Sequence, residues 1–97
     1  MVTYISLCNL TDQGIRSVKD STKRADAVKK AAKKFGVNMT QIYWTLGNYD
    51  LVTITESPDD KSATAFALAV GAAGNVRTQT LRAFSKEEMD GILGKMA

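Results

Sequence analysis

The feature that most constrains the fold of this chain is a pair of β-rich runs on either side of Gly47-Asn48. One run ends in Tyr43-Trp44-Thr45-Leu46, and the other begins with Tyr49-Asp50-Leu51. Glycine adopts positive φ without steric cost, and asparagine tolerates the left-handed region better than most residues do. A Gly-Asn pair between two strands therefore indicates a β-hairpin with a tight turn. We expect its strands at residues 37–46 and 50–56.

The segment before the hairpin predicts one strand followed by helix. Residues 2–9 alternate and are rich in β-branched side chains, which is typical of a strand. Residues 15–35 carry apolar side chains at helical spacing, but Ser21-Thr22 interrupts the apolar stripe. We therefore expect a short helical piece and then a longer helix that begins near Ser21. Gly36 suits the first position beyond its end.

The segment after the hairpin predicts helix, strand and helix. Pro58 and the acids Asp59 and Asp60 suit the first turn of a helix over residues 59–73, and residues 76–84 form a fourth strand. Ser85 and Glu88 have the spacing of a capping box for a terminal helix that reaches residue 96. The order βαββαβ plus a C-terminal helix predicts one ferredoxin-like α+β domain over residues 1–97, with a four-stranded antiparallel sheet.

Composition narrows the classes of function. The chain has 97 residues and no histidine, which excludes a histidine-containing catalytic triad, a histidine general base and the usual zinc ligand sets. We expect no metal and no cofactor. The single cysteine, Cys8, cannot form an internal disulfide, and the chain starts without a signal-peptide pattern or a membrane-spanning apolar run. These features predict a cytoplasmic protein without a membrane partner.

The two sides of the predicted sheet differ in polarity. We expect the helices to cover the more aliphatic side, with Trp44 as a packing residue there. That side comprises Ile5, Leu7, Ile42, Trp44, Val52, Ile54, Leu81 and Ala83. The open side then comprises Tyr4, Ser6, Cys8, Tyr43, Thr45, Leu51, Thr53, Thr55, Thr78, Thr80 and Arg82. Because this open side is partly apolar, we expect it to meet a second copy across a two-fold axis.

A hydroxyl-rich set on the expected open side is the candidate ligand pocket. Its members are Tyr4, Ser6, Cys8, Tyr43, Thr53, Thr55, Thr78, Thr80 and Arg82. A few converging polar groups in a concave site suit a small polar or anionic ligand. The alternative is that threonine is simply a good strand former on a hydrated surface. The sequence leaves both interpretations open.

Asp50 and Cys8 are the candidate reactive groups. Asp50 is either an acid or base at the mouth of a pocket or an acceptor for backbone amides at the hairpin, and we favour the structural role. Cys8 is either an activated thiolate near an arginine or an inert small apolar residue, and a strand cysteine without histidine favours the latter.

Basic residues are concentrated between residues 16 and 34, which raises the hypothesis of nucleic-acid binding. The formal net charge is only +3, and no aromatic residue alternates with the lysines. A lysine-rich outer helix face is usually a solvated surface. We therefore do not expect a nucleic-acid partner.

The run from Tyr43 to Asp50, followed by Gly74-Asn75-Val76-Arg77-Thr78, resembles the GYD-domain family of small prokaryotic proteins. The motif residues are Gly47, Tyr49 and Asp50, with Asn48 inserted after the glycine. The similarity spans nearly the whole chain, including residues 11–16 and 80–84. It implies a dimeric α+β barrel, in which the sheets of two copies close on each other.

Two functions follow from these expectations. The first is a homo-oligomeric binding module with a small-molecule pocket on the open sheet face. The alternative is a cofactor-free enzyme of the small oxygenase or isomerase type that uses the same pocket, since the barrel that the resemblance implies also hosts such enzymes. A solvent-exposed Asp50 that holds backbone amides favours the module, and an Asp50 inside a closed pocket favours the enzyme.

Overall fold

A four-stranded antiparallel sheet organises the computed structural model, which describes residues 1–96. The strands lie in the order β2-β3-β1-β4. In chain order the elements are β1 (Val2–Leu10), α1 (Asp12–Arg16), a 3-10 helix (Val18–Asp20), α2 (Ser21–Lys34), β2 (Asn38–Trp44), β3 (Leu51–Ser57), α3 (Asp60–Ala72), β4 (Val76–Ala83) and α4 (Lys86–Gly94). The predicted α+β class and order of elements are confirmed.

The helix ends follow the local signals in the sequence. Thr11 caps α1 through the Gly14 amide, and Ser85 and Glu88 form the capping box of α4. Gly36, with φ of 74°, ends α2 in a Schellman motif, because its own amide bonds to Lys33 and the Val37 amide bonds to Ala32. The helix α2 has 14 residues, and no helix within residues 1–96 has the length and apolarity needed to cross a membrane.

The β2–β3 connection is longer than the predicted tight turn at residues 47–49. The strands end at Trp44 and resume at Leu51, and the Thr45 amide bonds to the Asp50 carbonyl at 2.9 Å. Gly47 has φ of 101°, whereas no residue other than glycine has positive φ among residues 1–96. The prediction that Asn48 shares the left-handed corner is therefore wrong. Two consecutive positive φ values are needed only in the shortest hairpin turns, and this loop is longer.

The faces of β1, β3 and β4 are reversed relative to the prediction. Tyr4 pairs with Thr55 on the side of the helices, whereas Ile5 pairs with Ile54 on the open side. A difference of one residue moves every side chain of a strand to the other face. The prediction assumed that the more aliphatic side would be covered. In the structure, helices with many alanines and valines pack over tyrosine and threonine side chains, and the aliphatic side stays open.

A bulge in β2 explains why that strand keeps its predicted faces. The pairing register shifts between Met39 and Gln41, so that Ile42 lies opposite Thr53 and Trp44 lies opposite Leu51 on the helix side. Trp44 is nevertheless 45% exposed, because it stands at the end of an edge strand. Trp44 therefore lies on the predicted helix-covered face, but the expectation that it packs as a core aromatic residue is wrong.

The hydrophobic core is small and lies towards one end of the helix layer. Its buried members are Ala32, Val37, Met39 and Phe66, with Val28, Phe35, Ile42 and Val70 packed around them. The rings of Phe35 and Phe66 lie with their centroids 6.0 Å apart. The rest of the space between sheet and helices is less tightly filled, and a cavity lies there.

Candidate functional site

A cavity of about 170 Å³ separates the sheet from α2 and α3. Its floor is the helix side of the sheet, and its roof comes from the two helices. The floor includes Tyr4, Ser6, Cys8, Thr53, Thr55, Thr78 and Thr80, and the roof includes Ser21, Arg24, Ala25, Val28, Ala63, Phe66, Ala67 and Val70. The structure thus brings together every candidate pocket residue except Tyr43 and Arg82, but on the helix side of the sheet. The predicted placement of this set on the open side is wrong.

Two threonines on the floor have hydroxyls without a partner. Thr53 and Thr55 are 9% and 5% exposed, and neither side chain forms a hydrogen bond within residues 1–96. By contrast, the hydroxyls of Ser6 and Thr80 bond to each other at 3.1 Å. Buried hydroxyls are normally hydrogen-bonded. Both threonines line the cavity.

Ser21 and Arg24 bring polar groups from the first turns of α2 to the cavity wall. Arg24 donates from Nη2 to the Ser17 carbonyl at 3.1 Å and to the Ser17 hydroxyl at 2.6 Å. No carboxylate in the described part of the chain forms an ion pair with Arg24. The Ser21 hydroxyl is buried and has no partner among those residues. Arg24 is the one charged side chain in the described cavity wall.

The ionisable groups on the floor stay protonated at neutral pH. The Tyr4 hydroxyl donates to the Asp60 carboxylate, and this hydrogen bond, together with burial, raises the pKa of Tyr4. Burial raises the pKa of the Cys8 thiol to about 11. The thiolate is the nucleophilic form of cysteine, so this thiol is not activated. Within residues 1–96, no cluster of three His, Cys, Asp or Glu side chains suits a metal ion.

Arg82 lies near the start of α4 and does not line the cavity. Its guanidinium contacts the Glu88 carboxylate at 3.2 Å and stacks over the Phe84 ring at 4.3 Å. The Ser85 amide and then Arg82 lower the pKa of Glu88. Tyr43 is 53% exposed, and its pairing with Val52 places it on the open side. These two pocket candidates therefore lie apart from the others.

The Gly-x-Tyr-Asp motif fastens the β2–β3 loop to the rest of the sheet. Gly47 supplies the positive φ of the loop, and the Tyr49 hydroxyl donates to the Gln79 side chain on β4 at 3.0 Å. The Asp50 carboxylate accepts the Leu10 amide at 2.8 Å, and the Asp50 amide donates to the Cys8 carbonyl at 2.8 Å. Asp50 does not line the cavity. The amide that its carboxylate holds belongs to β1, whereas the sequence had suggested amides of the hairpin itself.

The side of the sheet opposite the helices carries a contiguous set of aliphatic residues, here called the aliphatic patch. It consists of Ile5, Leu7, Val52, Ile54 and Leu81. The pairings Ile5 with Ile54, Leu7 with Val52 and Ile5 with Leu81 make the patch continuous across three strands. Leu81 is 42% exposed, and the other members are half-buried. No described element covers this face.

Comparison with known proteins identifies the family. The model of the GYD domain matches residues 4–93. The chain belongs to the GYD domain family. A Thermus thermophilus protein named "glutamine synthetase and cystathionine beta-lyase binding protein" is 33% identical over 84 residues, which cover 86% of this chain and 88% of the relative. A crystal structure of a protein from the same organism matches with a TM-score of 0.57 and 23% identity, covering 88% of this chain and 95% of that chain, which shows a shared fold.

One contact in this GYD domain escaped the sequence analysis. The Thr11 amide and hydroxyl bond to the carbonyls of Asn75 and Gly74, respectively, at 3.0 and 2.5 Å. Gly14 is buried beside them, and a Cβ atom there would clash with the Asn75 carbonyl oxygen. Both segments belong to the stretches that resemble the family, but no spacing pattern pairs them. The cavity residues of α2 and α3 were missed because the strand faces were reversed.

Proposed function

We propose that this GYD domain protein is a homo-oligomeric binding module whose open sheet face is covered by a second copy of the chain. The observation that carries the proposal is the uncovered aliphatic patch. Large exposed apolar patches on small proteins usually mark interaction sites. An antiparallel sheet with helices on one side needs a polar outer side to remain open to water. When two copies of the chain pair across a two-fold axis, the aliphatic patches of both copies are removed from water.

The exposed area supports the presence of a partner. The chain exposes 6651 Å², whereas a folded monomer of this mass exposes about 5,400 Å². The radius of gyration is 14.6 Å, against about 12.5 Å for a compact domain of this length. The excess area of about 1,200 Å² exceeds the roughly 800 Å² that one partner buries in a standard interface. The chain therefore has enough surplus surface for a stable dimer.

The helix α4 adds a second unpartnered apolar surface. Met89, Ile92 and Leu93 of α4 recur at helical spacing, with Met96 just beyond its end, and Met89 and Leu93 are 43% and 49% exposed. No residue of α4 is buried. Because α4 follows directly from the edge strand β4, we propose that it contributes to the same interface between copies.

We further propose that the assembled protein binds metabolic enzymes. The relative from Thermus thermophilus is named for binding glutamine synthetase and cystathionine beta-lyase, and its identity to this chain extends over most of both proteins. Enzymes of these two kinds are therefore the first partners to test. A cytoplasmic location fits this role.

A small-molecule ligand in the cavity is the second part of the proposal. The unpartnered hydroxyls of Thr53 and Thr55 support it. No observation favours the catalytic alternative, because Asp50 bonds to a backbone amide outside the cavity. The raised pKa of Cys8 also argues against a thiolate mechanism. We therefore prefer binding to catalysis.

The self-association proposal is tested by sedimentation equilibrium of the wild type, Ile54→Lys and Leu68→Lys. Ile54 lies in the aliphatic patch, whereas Leu68 is a 69% exposed residue of α3 on the helix side and serves as the matched control. We expect a dimer or larger assembly for the wild type and the control, and a monomer for Ile54→Lys. A stable wild-type monomer at micromolar concentration contradicts the proposal.

The same three proteins, immobilised and exposed to purified glutamine synthetase or cystathionine beta-lyase, test the enzyme partners.

A further inference from the structure

We infer that the cavity binds a small monocarboxylate with an apolar body, and that the carboxylate of this ligand faces Arg24. The inference deepens the small-molecule part of the proposed function and does not depend on the interface between copies. It rests on the size of the cavity, the composition of its walls and the position of its single cation.

The size of the cavity limits the ligand to one ring or a short chain. Its volume is about 170 Å³. A dry protein cavity of about 150 Å³ holds benzene, whereas sites for drug-sized molecules span roughly 300–1,000 Å³. A nucleotide or a larger cofactor would extend beyond this volume. A single aromatic ring or a branched chain of a few carbons matches the available space.

Most of the roof of the cavity is apolar. Ala63, Phe66, Ala67 and Val70 of α3 and Val28 of α2 supply carbon surfaces. Such walls favour the burial of hydrocarbon and disfavour a ligand with charges at both ends. The body of the ligand is therefore expected to be apolar and to lie against α3.

The charge in the wall selects an anion. Arg24 is the one charged residue in the described wall, and no described carboxylate pairs with it. One guanidinium nitrogen is used by Ser17, which fixes the side chain and leaves other N–H groups for a ligand. Ser21, three residues earlier on α2, lies in the same wall, but its hydroxyl oxygen is buried, so Arg24 supplies the polar contact there. A guanidinium suits one carboxylate, since charge-assisted hydrogen bonds are the strong ones.

The surroundings of Tyr4 on the cavity floor disfavour the reverse orientation. Tyr4 is hydrogen-bonded to the carboxylate of Asp60 there, so an anion placed next to Tyr4 would meet negative charge. The hydroxyls of Thr53 and Thr55 lie on the floor, where they can donate to a second polar atom of the ligand. The ligand carboxylate is therefore directed to Arg24.

The test uses three probes of one size and different charge: benzoate, benzyl alcohol and benzylamine. Each is titrated into the ¹⁵N-labelled wild-type protein at neutral pH while amide NMR spectra are recorded. We expect saturable shifts for benzoate at residues of the cavity, such as Thr53, Thr55 and Phe66. Benzyl alcohol should bind at least about tenfold more weakly, which is the effect of losing a charge-assisted hydrogen bond, and benzylamine should not bind.

Three variants separate the site from general charge effects. Arg24→Gln should weaken benzoate binding by at least about tenfold and leave benzyl alcohol unchanged, because only the anion uses the guanidinium. Arg16→Gln removes one exposed positive charge outside the cavity and should change neither probe. Ala67→Leu fills the cavity and should abolish binding of both probes.

Several results would overturn the inference. Equal binding of benzoate and benzyl alcohol to the wild type would show that charge is not recognised, and absence of binding by any probe would exclude the ligand class. An equal loss of affinity for benzoate in Arg16→Gln and Arg24→Gln would indicate non-specific attraction of the anion to positive charge. If Arg24→Gln fails to fold, the inference is judged from the relative affinities of the wild type for benzoate, benzyl alcohol and benzylamine. Unchanged benzoate binding in Ile54→Lys, whatever its oligomeric state, distinguishes this site from the interface between copies.

Discussion

The carboxylate of Asp50 accepts the backbone amide of Leu10 at 2.8 Å. Asp50 lies at the end of the β2–β3 loop, and Leu10 is the last residue of β1. The Asp50 amide donates in turn to the Cys8 carbonyl, so one residue closes the end of the β1–β3 ladder with two hydrogen bonds. The aspartate of the family motif is thus a structural residue in this chain.

Asp50→Asn should cost at most about 1–2 kcal/mol of unfolding free energy, because the amide oxygen still accepts the Leu10 N–H. Asp50→Ala should cost more, about 1–3 kcal/mol, since it leaves the half-buried Leu10 amide without an acceptor. Urea unfolding of both variants measures the difference. Full stability of Asp50→Asn together with loss of ligand processing would instead support the catalytic alternative.

Gly14→Ala should destabilise the fold by about 1–3 kcal/mol, the scale of overpacking in a filled site. The new Cβ would clash with the Asn75 carbonyl oxygen, so the α3–β4 turn would have to move. Gly91→Ala in α4 is the matched control, because nothing lies within 4 Å of the new Cβ. That variant should be stabilised by about 0.5–1 kcal/mol through helix propensity. Equal effects of the two changes in thermal unfolding would contradict the close contact at Gly14.

Stability should fall in alkaline solution as Cys8 ionises. Burial raises the pKa of Cys8 from about 9.0 to about 11, so the folded chain holds the thiol proton more tightly than the unfolded chain does. This contribution is complete below pH 9 and is lost as the pH rises from 9 through 11. Comparing the unfolding free energy of the wild type and Cys8→Ala between about pH 8 and pH 11 isolates it from the titration of Tyr4. Parallel pH profiles for the two proteins would contradict the buried, protonated thiol.

Trp44→Ala should cost less than the loss of a core aromatic residue. Trp44 is 45% exposed, whereas Phe66 is 9% exposed within the hydrophobic core. Phe66→Ala should cost about 3–5 kcal/mol, and Trp44→Ala about half of that or less. Chemical unfolding of the two variants gives the comparison. A larger loss for Trp44→Ala would show that this tryptophan packs as a core residue.

Sequence signals between near neighbours in the chain predicted the helices and strands of this fold well. The cap at Ser85, the glycine after α2 and the interruption before Ser21 each depend on near neighbours in the chain, and the structure confirms all three. The assignment of strand faces failed because alternation identifies two faces without saying which one a helix covers. The contact of Gly14 with Asn75 also escaped prediction, because it joins residues far apart in the sequence and depends on tertiary packing.

The candidate cavity was predicted only in part. The hydroxyls of β1, β3 and β4 share one face by strand periodicity, which is why Thr53, Thr55 and their neighbours were grouped correctly. Tyr43 does not line the cavity, because the bulge in β2 places it on the open side of the sheet. No signal in the sequence indicated this bulge. Arg24 was overlooked because it lies in a lysine-rich helix whose composition is typical of a solvated surface.

Intermolecular NMR contacts show directly whether a second copy covers the open sheet face. A sample that mixes ¹³C-labelled and unlabelled chains gives filtered NOEs only between different copies. If a second copy covers the open face, methyl groups of Ile5, Val52, Ile54 and Leu81 will show such NOEs to the partner chain, and Leu68 on the helix side will show none. Intermolecular NOEs confined to other surfaces, or a monomer without any at the concentrations used, would show that the open face is not the interface between copies.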